Sequence, residues 1–210
     1  MPQSDINAPK HTEILDAKHD DLANIVKTFG RAFHDDPVIH WIIKPGSDYQ
    51  TRIEGFYKVL TFRFAWNKAR IIRTENTKGA ALWYPPGTTN IPFWQQLAAG
   101  PDLVKVTGLS RCVKRLAKLQ DIQTNHPKLN HYYLQVIGVD PTYQGRGYSS
   151  ALMNPILSIC DKDRVGAYLE SSKEENIPIY ERFGFKVTKE LKLTRHGPSV
   201  WLMWREPQAL

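Results

Sequence analysis

Only two cysteines, Cys112 and Cys160, occur among the 210 residues, and both fall in stretches with helical patterning. A disulfide-stapled scaffold is therefore excluded, and stability has to come from a buried apolar core. No apolar run approaches bilayer-spanning length, and the opening MPQSDINAPK lacks the basic-then-apolar pattern of a secretory leader. The expectation is a cytoplasmic chain with no membrane partner. The histidines show no zinc-ligand spacing, so no metal is expected. Internal repeats, low-complexity tracts and a long basic tail are all missing. The net charge of +7 suits polyanions in general, but lysine and arginine are scattered apart from a denser run at 111–118, and no nucleic-acid motif accompanies them. No nucleic-acid partner is expected.

What is present is apolar sequence, 41% of the chain, enough for one α/β domain with a substantial core. Residues 1–10, polar with two prolines, read as a flexible tail, and 11–207 as a single domain. A short edge strand at 12–17 precedes Asp20 and Asp21, which suit a helix start as cap and dipole partner. Leu22, Ile25, Val26, Phe29 and Phe33 then recur at helical spacing until Pro37 ends the helix and leaves Asp35 and Asp36 in a bend. Ser47 and Gln50 make a capping-box start for a second stripe of Tyr49, Ile53, Phe56, Tyr57, Leu60 and Phe64. Residues 69–74 and 80–84 read as a hairpin that Pro85 and Pro86 break. Trp83 and Tyr84 alternate across the second of these strands, one toward the core and the other toward a cleft. Residues 92–127 are helical in pattern and exceed an ordinary connection.

The chain is organised around residues 131–185. An apolar strand at 132–139 meets the glycine-rich turn Gln144-Gly145-Arg146-Gly147-Tyr148-Ser149, which opens an amphipathic helix carrying Ala151, Leu152, Ile156 and Ile159 on one face. Main-chain N–H groups and the helix dipole converge there as an anion cradle. The Lys-Ser/Thr of a Walker loop is missing, and the dinucleotide spacing does not fit, so the expected ligand is a pyrophosphate held by main chain. Gly138 interrupts the strand beside the cradle and marks either a packing need, a bulge or a close backbone approach. A second parallel strand at 166–170 completes a right-handed crossover. A hairpin at 186–193 and 199–205 closes the sequence, with Trp201 and Trp204 on opposite faces of its last strand.

In these residues the sequence resembles the GNAT superfamily of acyl-CoA N-acyltransferases, whose coenzyme A motif Q/R-x-x-G-x-G/A is met by Gln144, Gly147 and Ser149, the last a small departure from Gly or Ala. The likeness continues through Val139-Asp140-Pro141, Tyr168-Leu169-Glu170, Asn176, the run from Tyr180 to Phe185, and Gly197-Pro198. Within the family the carboxy-terminal half looks most like puromycin N-acetyltransferase-like members. The resemblance implies a GNAT fold, a mixed and mostly antiparallel twisted sheet of about seven strands flanked by helices, with residues 92–127 as a helical insertion before the fourth strand. It implies acetyl-CoA as cosubstrate and a primary amine as acceptor, a small aromatic or antibiotic-like amine or else a protein lysine or amino terminus. A non-catalytic acyl-CoA-binding module is the other class of reading, and monomer and homodimer both stay open.

The resemblance also assigns roles. The backbone of Ile137 and Val139 would pair with the pantetheine arm and polarise the thioester carbonyl. Gln144, Gly145, Arg146, Gly147, Tyr148 and Ser149 would hold pyrophosphate, although Arg146 equally suits an exposed turn. Asn176 would hold the CoA arm, or cap the helix that follows. Tyr180 would protonate the departing sulfur, against a plain role packing on Phe183 and Phe185. Glu170 is a candidate base or water-ordering group, or only a salt-bridge partner. Asp35 or Asp36 would attract the acceptor amine, or be solvated loop carboxylates. Trp83 would wall the acceptor cleft, or pack in the core.

Overall fold

The structure, a computed structural model, describes residues 12–43 and 45–209. The reading of residues 1–10 as a tail falls outside them. One seven-stranded sheet, ordered β1-β2-β3-β4-β5-β7-β6, runs through the chain. Its strands are β1 (Ile14–Asp16), β2 (Arg70–Thr74), β3 (Gly79–Tyr84), β4 (His131–Val139), β5 (Gly166–Ser171), β6 (Lys186–Lys192) and β7 (Ser199–Arg205). Among the described residues only β4 and β5 pair in parallel, joined through a crossover helix, as the sequence pattern implies.

The amino-terminal helices are α1 (Leu22–Ala32), α2 (Pro37–Ile42) and α3 (Tyr49–Lys58), the last continuing as a π-helical segment Val59–Ala65. Between β3 and β4 lie α4 (Phe93–Thr107), α5 (Leu109–Arg111), a second π-helical segment and α6 (Ala117–Thr124). The crossover helix is α7 (Tyr148–Asp163), and α8 (Ile177–Glu181) follows β5. Among the described residues no helix is long and apolar enough to cross a membrane.

Strand alternation divides the core between the two faces of the sheet. Ala81, Trp83, Leu134, Leu169 and Met203 face α7, where Leu152, Met153, Ile156, Leu157 and Cys160 are buried. That helical stripe keeps Leu152 and Ile156 of the expected set, while Ala151 and Ile159 fall at its margin. Leu82, Tyr84, Tyr133, Tyr168 and Leu202 face the opposite way, onto Leu22, Ile25, Phe29, Ile53 and Phe56 of α1 and α3. Cys112 and Cys160 are free thiols, and burial raises that of Cys160 to about 12.

Local start signals are met in altered form. Asp21 accepts from Lys18 N at 2.8 Å and pairs with Arg73 of β2, so it closes a 3₁₀ turn (His19–Asp21) before α1 rather than capping the helix by its side chain. Helix α3 begins at Tyr49 with Asp48 in the capping position and no side-chain cap, so the expected Ser47–Gln50 box does not form. Gln50 instead donates to Glu54 at 2.9 Å. The basic run in the region before β4 is partly structural: Arg111 and Arg115 both donate to the Trp41 carbonyl oxygen and tie the helical segment to α2.

Candidate active site

Strands β4 and β5 pair only from His131↔Gly166 to Leu134↔Leu169 and then part. The parting starts where β4 is irregular, because the β3–β4 register shifts between Leu82 and Trp83 and leaves Gln135 as the extra residue. Of the readings open at Gly138, the bulge lies three residues earlier, at Gln135. Gly138 itself answers to close approach: a Cβ there would meet Phe29 Cδ1 at 2.9 Å, Ala32 Cβ at 3.1 Å and Phe33 Cε2 at 3.2 Å, so α1 lies directly on the strand.

The ladder fixes which main-chain groups the parting exposes. Asp140 N donates to Lys78 O at 2.8 Å, in register with the Gly79↔Val139 and Ala80↔Gly138 pairs. Alternation along an antiparallel strand then directs the N–H and C=O of Gly138 and Val136 to β3, and those of Ile137 and Val139 to the open side. Gln144 Nε2 donates to Val139 O at 3.2 Å, folding the turn back onto the strand end. Ile137 and the Val139 N–H remain turned to the cleft.

Two glycines at positive φ on either side of Arg146 shape the next turn, Gly145 at φ 74° and Gly147 at φ 78°. Gly147 occupies the capping position of α7 with no side-chain cap, so the first-turn N–H groups of a long helix open into the cleft. That cavity, about 390 Å³, is lined by Ile137 to Val139, by Gly145, Gly147, Tyr148 and Ser149, and across from them by Asn176 and Tyr180. These residues fit an acyl-CoA: an anion cradle, an unpaired strand edge and a phenol on one wall.

The remaining assigned residues divide. Asn176 stands before α8 but makes no capping hydrogen bond, leaving its amide to the cavity it lines. Tyr180 packs edge-on to Phe185 at 6.3 Å between centroids while also lining the cleft. Burial, with the nearby Asp36 charge, raises its phenol to about 12. Asp36 lines the same cavity but is 3% exposed, and its carboxylate is already engaged: Oδ1 accepts from Val38 N and Ile39 N at 2.9 Å each, and Oδ2 accepts from Ser172. It clamps the α1–α2 bend to the loop after β5.

Three placements correct the sequence reading. Trp83 is 0% exposed and packs on the α7 face, so it walls no cleft; a large apolar ring on an interior strand gains most by full burial. Tyr84, its alternate, is also buried. Asp35 is exposed in the bend and lines none of the described cavities. Arg146 is exposed too, its guanidinium 5.5 Å from the Tyr143 ring rather than in the cradle.

Glu170 sits one residue past the last β4–β5 pair. It lines a second chamber of about 70 Å³ with Phe33, Gln135, Ser172 and Tyr180. Ile137, Asn176 and Tyr180 border both spaces, so the two meet at the strand parting. Sequence reasoning missed Phe33 and Ser172 here, and Lys173 in the larger cavity. Phe33 carried a helical-stripe signal that reads equally as core, and the other two carried none.

A model of the acetyltransferase (GNAT) family matches residues 108–185. An uncharacterized N-acetyltransferase of Schizosaccharomyces pombe is 31% identical over 204 residues, covering 90% of this chain and 81% of that protein. The chain belongs to the GNAT acetyltransferases. It is an acyl-CoA-dependent N-acetyltransferase. A crystal structure of a histone acetyltransferase HPA2 and related acetyltransferase from Corynebacterium glutamicum superposes with a TM-score of 0.72 at 22% identity, covering 95% of this chain and 98% of that one. The NatC complex bound to Gag peptide and CoA gives a TM-score of 0.53 at 10% identity, over 94% and 99% of the two chains. Both are likenesses of fold alone, in keeping with the mixed, mostly antiparallel seven-stranded sheet of this GNAT chain.

Proposed function

We propose that this acetyltransferase, a single domain over residues 11–207, moves an acetyl group from acetyl-CoA to a small primary amine by direct attack in a ternary complex. The observation that carries this reading is the meeting, at one strand parting, of the anion cradle, the unpaired edge of β4 and the Tyr180 phenol. Bound acetyl-CoA supplies the activated acyl carbon. The N–H groups from Gly145 to Ser149 take the pyrophosphate, and the free main chain of Ile137 and Val139 receives the pantetheine arm and the carbonyl oxygen as it gains charge. The amine nitrogen bonds to the carbonyl carbon, the carbon–sulfur bond breaks, Tyr180 gives its proton to sulfur, and the proton shed by the nitrogen as the amide forms restores the phenol. A phenol raised to about 12 stays protonated until that moment.

For the acceptor we favour a small aromatic or antibiotic-like amine, on the likeness of the carboxy-terminal half to puromycin N-acetyltransferase-like members. The narrow chamber beside Phe33 and Glu170 supports it, since about 70 Å³ admits an amine head and little more.

The test is thiol release from acetyl-CoA by the purified protein with puromycin, phenylalkylamines, polyamines and lysine peptides. Release dependent on a small amine is expected. Release with peptides alone would replace the acceptor class, and acetyl-CoA binding with no release toward any amine would refute the catalytic reading in favour of a binding module.

A further inference from the structure

A cavity of about 480 Å³, larger than the acetyl-CoA cleft, lies between α4 and the face of α3 that runs on into its π-helical extension. It shares no lining residue with the cleft or with the chamber beside Glu170. One wall is a single helical face, whose residues recur at three- and four-residue spacing from Asp48 to Arg63. The other is the face of α4 that bears Asp102, Lys105 and Val106. A space of this size falls within the roughly 300–1,000 Å³ typical of small-molecule sites.

The two walls are fastened to each other. A Cβ on Gly55 would meet Val106 Cγ1 at 2.6 Å, so α3 and α4 touch there with no room for a side chain. Farther along, Arg63 Nη2 donates to Asp102 at 2.9 Å, and Gln95 of α4 donates to the Arg63 carbonyl oxygen. The wall that reaches Arg63 is π-helical, a backbone form frequent at functional sites. Val59 and Val106 are buried and Phe62 is half-buried, which gives the groove an apolar floor. Its rim is cationic. Arg52 donates to Asp48 at 2.7 Å, and Arg63 holds Asp102, so both carboxylates on the rim are already matched. Lys58 and Lys105 stand on opposite walls, exposed, and make no ion pair or side-chain hydrogen bond among the described residues.

We propose that this groove is a second ligand site, separate from the transferase cleft, and that it takes a small organic carboxylate with an aryl or alkyl body. The body lies on Val59, Phe62 and Val106, and the carboxylate meets Lys58 and Lys105. Lysine suits both parts, since its stem can lie along apolar surface while its ammonium stays at the water. An amine is repelled by the same rim, so the groove is not another acceptor site. A polyphosphate would face Asp48 and Asp102 across a floor that offers it no donors. The proposal goes beyond the acetyl-transfer reading and does not depend on it.

The test is an amide NMR titration of the full chain with 4-phenylbutyrate and with octanoate, using neutral 4-phenylbutyramide as control. Saturating coenzyme A is present throughout to keep the probes out of the cleft. Expected are saturable, single-site shifts confined to residues 48–63 and 102–106, with a Kd of about 1 mM or tighter for the carboxylates. The amide should bind at least about fivefold more weakly, because it forgoes the attraction of two ammonium groups. Lys58→Gln combined with Lys105→Gln should weaken the carboxylates by a similar factor and leave the amide unchanged, while the corresponding double arginine variant keeps carboxylate binding. Thiol release without probe should be the same in all of them. Thr51→Trp, which fills the groove from an exposed position, should abolish binding of every probe and decides the matter if a lysine variant fails to fold. No saturable shift up to about 10 mM, shifts only elsewhere, equal affinity for acid and amide, or indifference to both lysines would each overturn the proposal. None of these results bears on acetyl transfer, which the amine panel tests by itself.

Discussion

Replacing Tyr180 by phenylalanine removes one hydroxyl from the cleft and leaves the ring that packs edge-on to Phe185 at 6.3 Å. Burial and the Asp36 charge keep this phenol protonated up to about 12, so at neutral pH it is wholly in the donor form that thiolate departure needs. General-acid assistance of this kind contributes about 10²–10⁴ in rate, equivalent to about 3–5 kcal/mol of barrier. Stability should change by less than about 1 kcal/mol, because only a hydroxyl is lost and the apolar contact is kept. Tyr180→Phe is therefore expected to lose about 10²–10⁴ in kcat with acetyl-CoA affinity and urea midpoint nearly unchanged. Wild-type kcat should also show no falling alkaline limb below about pH 10, the sign expected of an acid whose proton leaves only above that range. The assay is continuous thiol release at saturating acetyl-CoA, with equilibrium binding in parallel. Turnover within about threefold of wild type would remove Tyr180 from the mechanism.

The cradle and the frame can be tested separately. Gly147→Ala forces a Cβ onto a residue at φ 78° and should cost about 1 kcal/mol, seen in urea unfolding, with a several-fold rise in KM for acetyl-CoA. Gly138→Ala drives a methyl to 2.9 Å from Phe29 and 3.1 Å from Ala32, and overpacking of this kind costs about 1–3 kcal/mol; an unchanged melting temperature would contradict the close approach of α1. Arg205 Nη1 and Nη2 donate to the two oxygens of Asp161 at 2.7 and 2.8 Å, joining β7 to α7. Arg205 holds the Asp161 carboxyl below the ordinary carboxylate range, with burial opposing, so this stability is present above about pH 4 and lost as pH falls through the depressed value. Asp161→Asn should destabilise by about 3 kcal/mol at neutral pH and flatten the acid limb of urea midpoint against pH.

Much of the frame was legible because strand alternation, helical spacing and turn chemistry are local. The seven strands, the parallel β4–β5 crossover and the helical stretch before β4 all follow from such patterns. The cradle was legible too, since two glycines opening a helix after a strand constrain the backbone wherever they occur. Side-chain destinations were less so. Trp83 and Asp36 read as ambiguous in sequence; one proved to be core and the other a buried clamp, outcomes set by which face and which loop approached them.

The sequence by itself determined the order of elements, the left-handed turn and the family, because those depend on residues close together in the chain. Only the tertiary structure decided that the strands part after Leu134, where Gln135 is the extra residue, that Ile137 and Val139 turn their main chain to the cleft, and that His126 lies 2.8 Å from Glu170. Those facts depend on register between distant strands and on where a long connection returns. No local pattern encodes either one, since both are fixed by packing of the whole sheet against helices from both ends of the chain.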